Sequence, residues 1–118
     1  MARGDDIQER LIDFAVRIIK ICSSLPKTQE ARHIGGQLLR CGTSPAANYG
    51  EARGAESRAD FVHKLGVVLK ELNEAKIWLE ILLRSRILSN AVLSPVSNEC
   101  MELSKIINAS IKTVGKKK

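Results

Sequence analysis

The sequence predicts an all-α fold, an up-down-up-down antiparallel four-helix bundle with a long hairpin formed by its second and third helices. Three observations carry this. Aromatic residues are only 3% of the 118 (Phe14, Tyr49, Phe61, Trp78) against abundant Leu, Ile, Val and Ala, which disfavours a β-sandwich. Apolar residues recur at steps of three and four along four separate stretches, the period of a helix burying one face. The stretches are joined by short connections, so consecutive helices should lie antiparallel and side by side. Residues 1–118 leave room for one core and are expected as a single domain, with 115–118 a frayed basic tail.

The first predicted helix begins at Asp5 or Asp6, with Asp6 and Glu9 spaced as an acidic variant of the capping box. Ile7, Leu11, Phe14, Ile18, Ile21 and Leu25 form its stripe, and Pro26 stops it. Thr28 caps the second, which runs towards Gly50–Gly54 with Ala31, Ile34, Leu38 and Cys41 inward. Pro45 should kink it at Thr43–Pro45, with Ser44 recapping the second half. After the loop Gly54-Ala55-Glu56, Ser57 caps the third helix with Asp60 three residues on, and Phe61, Leu65, Val68, Leu72, Ala75, Leu79 and Leu82 step inward. Ser89–Leu93 reads as a turn. Ser94 followed by Pro95 then opens the fourth helix, whose stripe is Val96, Cys100, Leu103, Ile107, Ile111 and Val114. Helices one and four come to about 20 residues, or roughly 30 Å, and helices two and three to about 25–30 residues, or some 40 Å.

The net charge is +6, and its location says more than its size. Residues 1–26 and 65–100 each balance four cations against four anions, whereas 27–64 carry six against four and 101–118 five against one. Such a surplus suits an anionic partner, RNA, DNA or an acidic protein, although a terminal lysine run also serves simply to keep a chain soluble. Cys22, Cys41 and Cys100 are odd in number, far apart and without a CxxC pair, so neither a disulfide framework nor a zinc site is signalled. They fall on or beside apolar stripes and read as reduced thiols of a cytoplasmic protein. No export signal and no run of 18 apolar residues is present, so no membrane span is expected.

The helices carry more apolar residues than one core face needs. With Ile7 at zero and 100° per residue, Ile12, Val16 and Ile19 fall at about 120–180°, away from the core. Val67, Ile77, Trp78 and Ile81 are likewise off the stripe of the third helix. These seven residues predict a homo-oligomer built on the outer faces of helices one and three, against the simpler reading of scattered exposed aliphatics. On the second helix Gln37, Arg40, Ser44, Asn48 and Glu51 step by three and four into one polar line. That line suits hydrogen bonding across a subunit interface, the lining of a groove, or a solvated face.

These residues also carry a resemblance. Gln37-Leu-Leu-Arg40, Ser44, Asn48-Tyr-Gly-Glu51-Ala, Phe61, Leu65 and the run Lys70–Leu82 resemble the four helix bundle protein family, over about residues 7–90. Its members are encoded by intervening sequences in bacterial large-subunit ribosomal RNA genes, and relatives are accessory proteins of diversity-generating retroelements. The family's Asn-Ile-Ala-Glu-Gly pattern is met here at Asn48 and Glu51. The resemblance implies a bundle assembling into a ring-like homopentamer, a basic surface that engages nucleic acid or a reverse transcriptase, and no catalysis.

Catalytic constellations are missing from the sequence. His33 and His63 stand apart and read as surface residues; Gly35-Gly36 follows no strand and lacks phosphate-loop spacing. Glu71 and Glu74 share a face without the histidine that a di-iron bundle requires. No enzyme, metal or cofactor is therefore expected. For nucleic-acid binding the candidates are Arg40, Arg53, Arg58 and Lys64, with Lys112, Lys116, Lys117 and Lys118 towards the end. Few aromatics are free to stack on bases, so contacts should be to phosphates. The competing expectation is a homo-oligomeric interaction scaffold, an accessory subunit with no nucleic-acid affinity of its own.

Overall fold

The computed structural model describes residues 2–116, with side chains described over 4–115. Four helices follow in order, α1 (Ala2–Ser23), α2 (Gln29–Arg53), α3 (Arg58–Ser85) and α4 (Asn90–Lys116), and the described residues contain no strand. Each helix packs against its two neighbours around a square, while the diagonal pairs α1/α3 and α2/α4 do not meet. This is the expected four-helix bundle, an elongated body of 50 × 22 × 20 Å. Its core is formed by the predicted stripes. Leu11, Phe14 and Ile18, then Leu38 and Cys41, Leu65 to Leu82 on the α3 stripe, and Cys100, Leu103 and Ile107 are all fully buried. Stripe residues nearer the ends, Leu25, Phe61 and Ile111 among them, are only half-buried.

The two helix caps nearest the central hairpin are as predicted. Thr28 accepts from the Ala31 amide and Ser57 from the Asp60 amide, each at 3.1 Å, and Asp60 in turn accepts from the Glu56 amide. That last bond, with Lys64 beside it, holds the Asp60 carboxyl below the usual carboxylate range.

Three expectations need correction. α1 starts at Ala2, ahead of Asp5. α4 starts at Asn90 rather than after Ser94: Ser89 supplies the cap, its Oγ accepting from the Val92 amide at 3.3 Å. The earlier start brings Leu93 into the core, where it is fully buried, and that burial outweighs the bond lost at Pro95. α2 runs through Pro45 as one helix, and Ser44 does not recap it. The Ser44 and Thr43 hydroxyls instead donate back to the Arg40 and Leu39 carbonyls, both at 2.6 Å. Pro45 itself is buried, so tertiary packing overrides its helix-breaking tendency of about 3 kcal/mol.

Two glycines of α2 admit side chains close to its backbone, and Gly42 sets its spacing from α1. A methyl group placed on Gly42 would lie 2.8 Å from Ile18 Cγ1 and Cγ2, and one on Gly35 would lie 2.9 Å from Leu25 Cδ1. Seven residues apart on one face, they let Ile18 of α1 and Leu25 of the connection after it seat against the α2 backbone. α1 and α4 make the sparsest contact of the four neighbouring pairs, and a two-pronged ion pair spans that seam. Arg10 donates to both Glu99 oxygens, at 3.0 and 2.8 Å.

Candidate interaction surfaces

The surplus apolar residues lie on two outer faces. On α1, Ile12, Val16 and Ile19 are 41%, 43% and 47% exposed. On α3, Ile77 and Ile81 are exposed, while Val67 and Trp78 are half-buried. Since α1 and α3 are diagonal, these faces point to different sides of the bundle. Two exposed residues escaped the sequence reading. Leu39 is 41% exposed on α2, and the close approaches of Gly42 to Ile18 and Gly35 to Leu25 set it level with Ile21, two residues from Ile19, extending the α1 face. Val92 is exposed at the start of α4, in the stretch read as a turn.

The polar line of α2 faces its groove with α3, and its upper end is tied across that groove. Arg40 donates to Glu71 at 3.0 Å, to Glu74, and to Gln37 on its own helix. Trp78 Nε1 donates to Glu74 at 3.5 Å, and the Trp78 ring meets the edge of His33, with centroids 5.8 Å apart and planes at 80°. Gln37, Arg40, Glu71, Glu74, Trp78 and His33 thus make one ordered patch beside Ile77 and Ile81. Ser44 turns back on its own helix, and Asn48 and Glu51 stand further along, half-buried and exposed respectively.

The predicted cations divide differently. The up-down topology brings the end of α2, the start of α3 and the end of α4 to one end of the bundle, collecting Arg53, Arg58, Lys64 and Lys112 there. Arg40 sits apart, near the middle. Arg53 donates to Asp5 at 2.7 Å, and this bond holds the Asp5 carboxyl below its usual range. Lys64 lies 3.3 Å from Asp60. Arg58 and Lys112 are exposed. α4 continues through Gly115 to Lys116, whose side chain, like Lys117 and Lys118, lies outside the described residues.

A further concavity between α3 and α4, of about 460 Å³, was not anticipated. It is lined by Leu69, Asn73, Lys76, Met101, Ser104, Lys105 and Asn108. Among the described residues no group of three or more His, Cys, Asp or Glu side chains is placed to hold a metal ion, and no helix is long and apolar enough to cross a membrane.

The cysteines are packing residues. Cys41 and Cys100 are fully buried, and burial pushes both thiols up to about 12; Cys22, half-buried with its thiol on the Gly35 carbonyl, is also raised. At pH 8 a thiol of pKa near 12 is ionised in only about one molecule in ten thousand. Ellman's reagent should therefore react with no more than Cys22 in the native protein and with all three thiols in guanidinium. Prompt native reaction of two or more would contradict this packing.

A family profile described as 23S rRNA-intervening sequence protein matches residues 5–109. The chain is also similar to the crystal structure of a protein of unknown function from the S23 ribosomal protein family of Bacteroides thetaiotaomicron. The two are 37% identical with a TM-score of 0.86, over 92% of this chain and 97% of that one. No curated protein matches the chain.

Proposed function

The chain belongs to the 23S rRNA-intervening sequence protein family, and from that premise we propose that it is a non-enzymatic bundle that assembles with copies of itself and presents a shared basic surface to structured RNA. The observation that carries the reading is the pair of exposed apolar faces on diagonal helices, Ile12, Val16, Ile19 and Leu39 on one side and Ile77 and Ile81 beside Trp78 on the other. Two separate faces permit a head-to-tail contact in which the α1 face of one copy covers the α3 face of the next, and such a contact gives a ring where its rotation closes. The ordered Arg40–Glu71–Glu74 patch beside Ile77 then serves as the polar rim of the contact.

Assembly multiplies the modest charge of one copy. The net +6 per chain, with Arg53, Arg58, Lys64 and Lys112 gathered at one end, supplies a field that several copies would share around the ring. The family's association with 23S rRNA intervening sequences supports RNA as the anionic partner. A second reading, a scaffold that binds proteins only, is favoured by the carboxylates already paired with Arg40, Arg53 and Lys64.

Size-exclusion chromatography with light scattering at micromolar concentration tests the assembly. The expected mass is two or more times that of the 13.0 kDa chain, and a single species at 13.0 kDa overturns the assembly. Filter binding of a labelled RNA stem-loop over a salt series separates RNA binder from scaffold, since phosphate contacts make affinity fall steeply with salt.

A further inference from the structure

We infer that the cleft between α3 and α4 is a binding track for the phosphate backbone of RNA, with Lys76, Lys105 and Lys112 as its charge contacts and Asn73 and Asn108 as neutral donors. The inference rests on the RNA reading above and assigns it a place that none of the sequence candidates except Lys112 touches.

The lining has the chemistry of an anion site. Two ammonium groups and two side-chain amides converge on one concavity, all of them hydrogen-bond donors. The Ser104 hydroxyl is already spent, donating to the Cys100 carbonyl at 2.9 Å. Leu69 and Met101 supply the apolar part of the lining, suited to sugar rather than to charge. Unlike Arg40, Arg53 and Lys64, Lys76 and Lys112 form no ion pair among the described residues. The nearest carboxylate is Glu102, 3.9 Å from Lys105 Nζ and itself exposed, while Glu99 and Glu80 are held by Arg10 and Arg84. The ligand therefore meets two cations with no carboxylate partner among the described residues, Lys76 and Lys112, and a third, Lys105, held only by a long, exposed contact with Glu102.

The shape suits an extended polyanion. Met101, Lys105, Asn108 and Lys112 fall at i, i+4, i+7 and i+11, one face of α4. The Cys100 thiol donates to the Leu72 carbonyl at 3.2 Å, which sets the antiparallel register and places Gly66 near the level of Asn108. A methyl group on Gly66 would meet nothing within 4 Å, so the wall is open there. From Lys76 to Lys112 this register spans about 24 Å at 1.5 Å per residue, leading towards the basic end of the bundle. No aromatic lines the cleft, so recognition is of backbone and not of base. It also lies on the α4 side of α3, away from the Arg40–Glu71–Glu74 patch on the α2 side.

The test is filter binding of a labelled RNA stem-loop to the full chain across a salt series, with oligomeric mass measured for every variant. Lys76→Ala with Lys105→Ala should weaken binding about tenfold or more and lower the slope of log affinity against log salt by about 2. Asn108→Asp, which adds a negative charge and removes none of the lysines, should weaken binding in the same direction. Lys20→Ala with Lys27→Ala, an equal loss of charge elsewhere, should stay within about twofold of the unmodified protein. Wild-type affinity and slope in the Lys76/Lys105 variant would overturn the cleft and leave the RNA reading standing. Failure of the unmodified protein to retain RNA at about 50 mM salt would overturn both.

Discussion

Gly42→Ala should destabilise the bundle by about 1–3 kcal/mol, whereas Gly36→Ala, one turn and a half away on the same helix, should stabilise it by about 0.5–1 kcal/mol. Alanine is the better helix former at both sites, so propensity alone predicts two gains. Space decides the sign. At Gly36 a methyl group meets nothing within 4 Å, and the propensity gain is kept. At Gly42 it comes within 2.8 Å of two carbons of Ile18 and 3.2 Å of a third, Cβ, which cannot swing aside, and Ile18 is fully buried. Gly35→Ala falls between them: its only close neighbour is the tip of the half-buried Leu25 side chain, and the change should be near neutral. Urea unfolding of the three variants measures the order. Combining Gly42→Ala with Ile18→Ala should cost clearly less than the two changes summed, because the second removes the atoms the first strikes. Additive costs would place the strain elsewhere.

The bundle was legible in the sequence because a period of three and four survives any detail of tertiary packing. Ile7 to Ile21, Leu65 to Leu82 and Val96 to Ile107 are stripes in the sequence and core in the structure. What escaped was whatever packing decides against local preference. Pro45 read as a kink and Pro95 as a helix start, yet both sit well inside helices because the turns around them place Tyr49 and Leu93 in the core. Gly35 read as half of a glycine pair, when it makes room for Leu25, and the close approach of α1 falls at Gly42, seven residues on. Of the candidate surfaces, the outward position of Ile12, Val16, Ile19, Ile77 and Ile81 followed from arithmetic on helical angle. Leu39 did not, since it reads as one half of an ordinary apolar pair with Leu38.

Charge was the least legible feature, because a count of cations does not reveal which are already answered. Arg40 stands in a polar line on α2, and only the register with α3 shows Glu71 and Glu74 opposite it. Lys76 lies in a charge-balanced stretch and Lys105 ahead of the lysines that end a basic one, and neither was singled out, yet the α3/α4 packing brings them to one cleft.

Val16→Asp and Ile77→Asp should each reduce the assembly to single chains of 13.0 kDa, while an equimolar mixture of the two variants should form a pair of twice that mass and nothing larger. The residues are 43% and 60% exposed, so neither change threatens the fold; each places an uncompensated carboxylate in a face that assembly must dry. In a head-to-tail contact one copy contributes its α1 face and the next its α3 face, so damage to either face removes every contact. In the mixture the Val16→Asp chain keeps a sound α3 face and the Ile77→Asp chain a sound α1 face. One sound contact per pair forms, and the two damaged faces are left at its outer ends, where growth stops. A face-to-same-face contact behaves otherwise: one variant would still dimerise by itself through its intact face, and mixing would add nothing. Light scattering of each variant alone and of the mixture distinguishes the two geometries. A self-associating single variant would exclude the ring and confine assembly to one face.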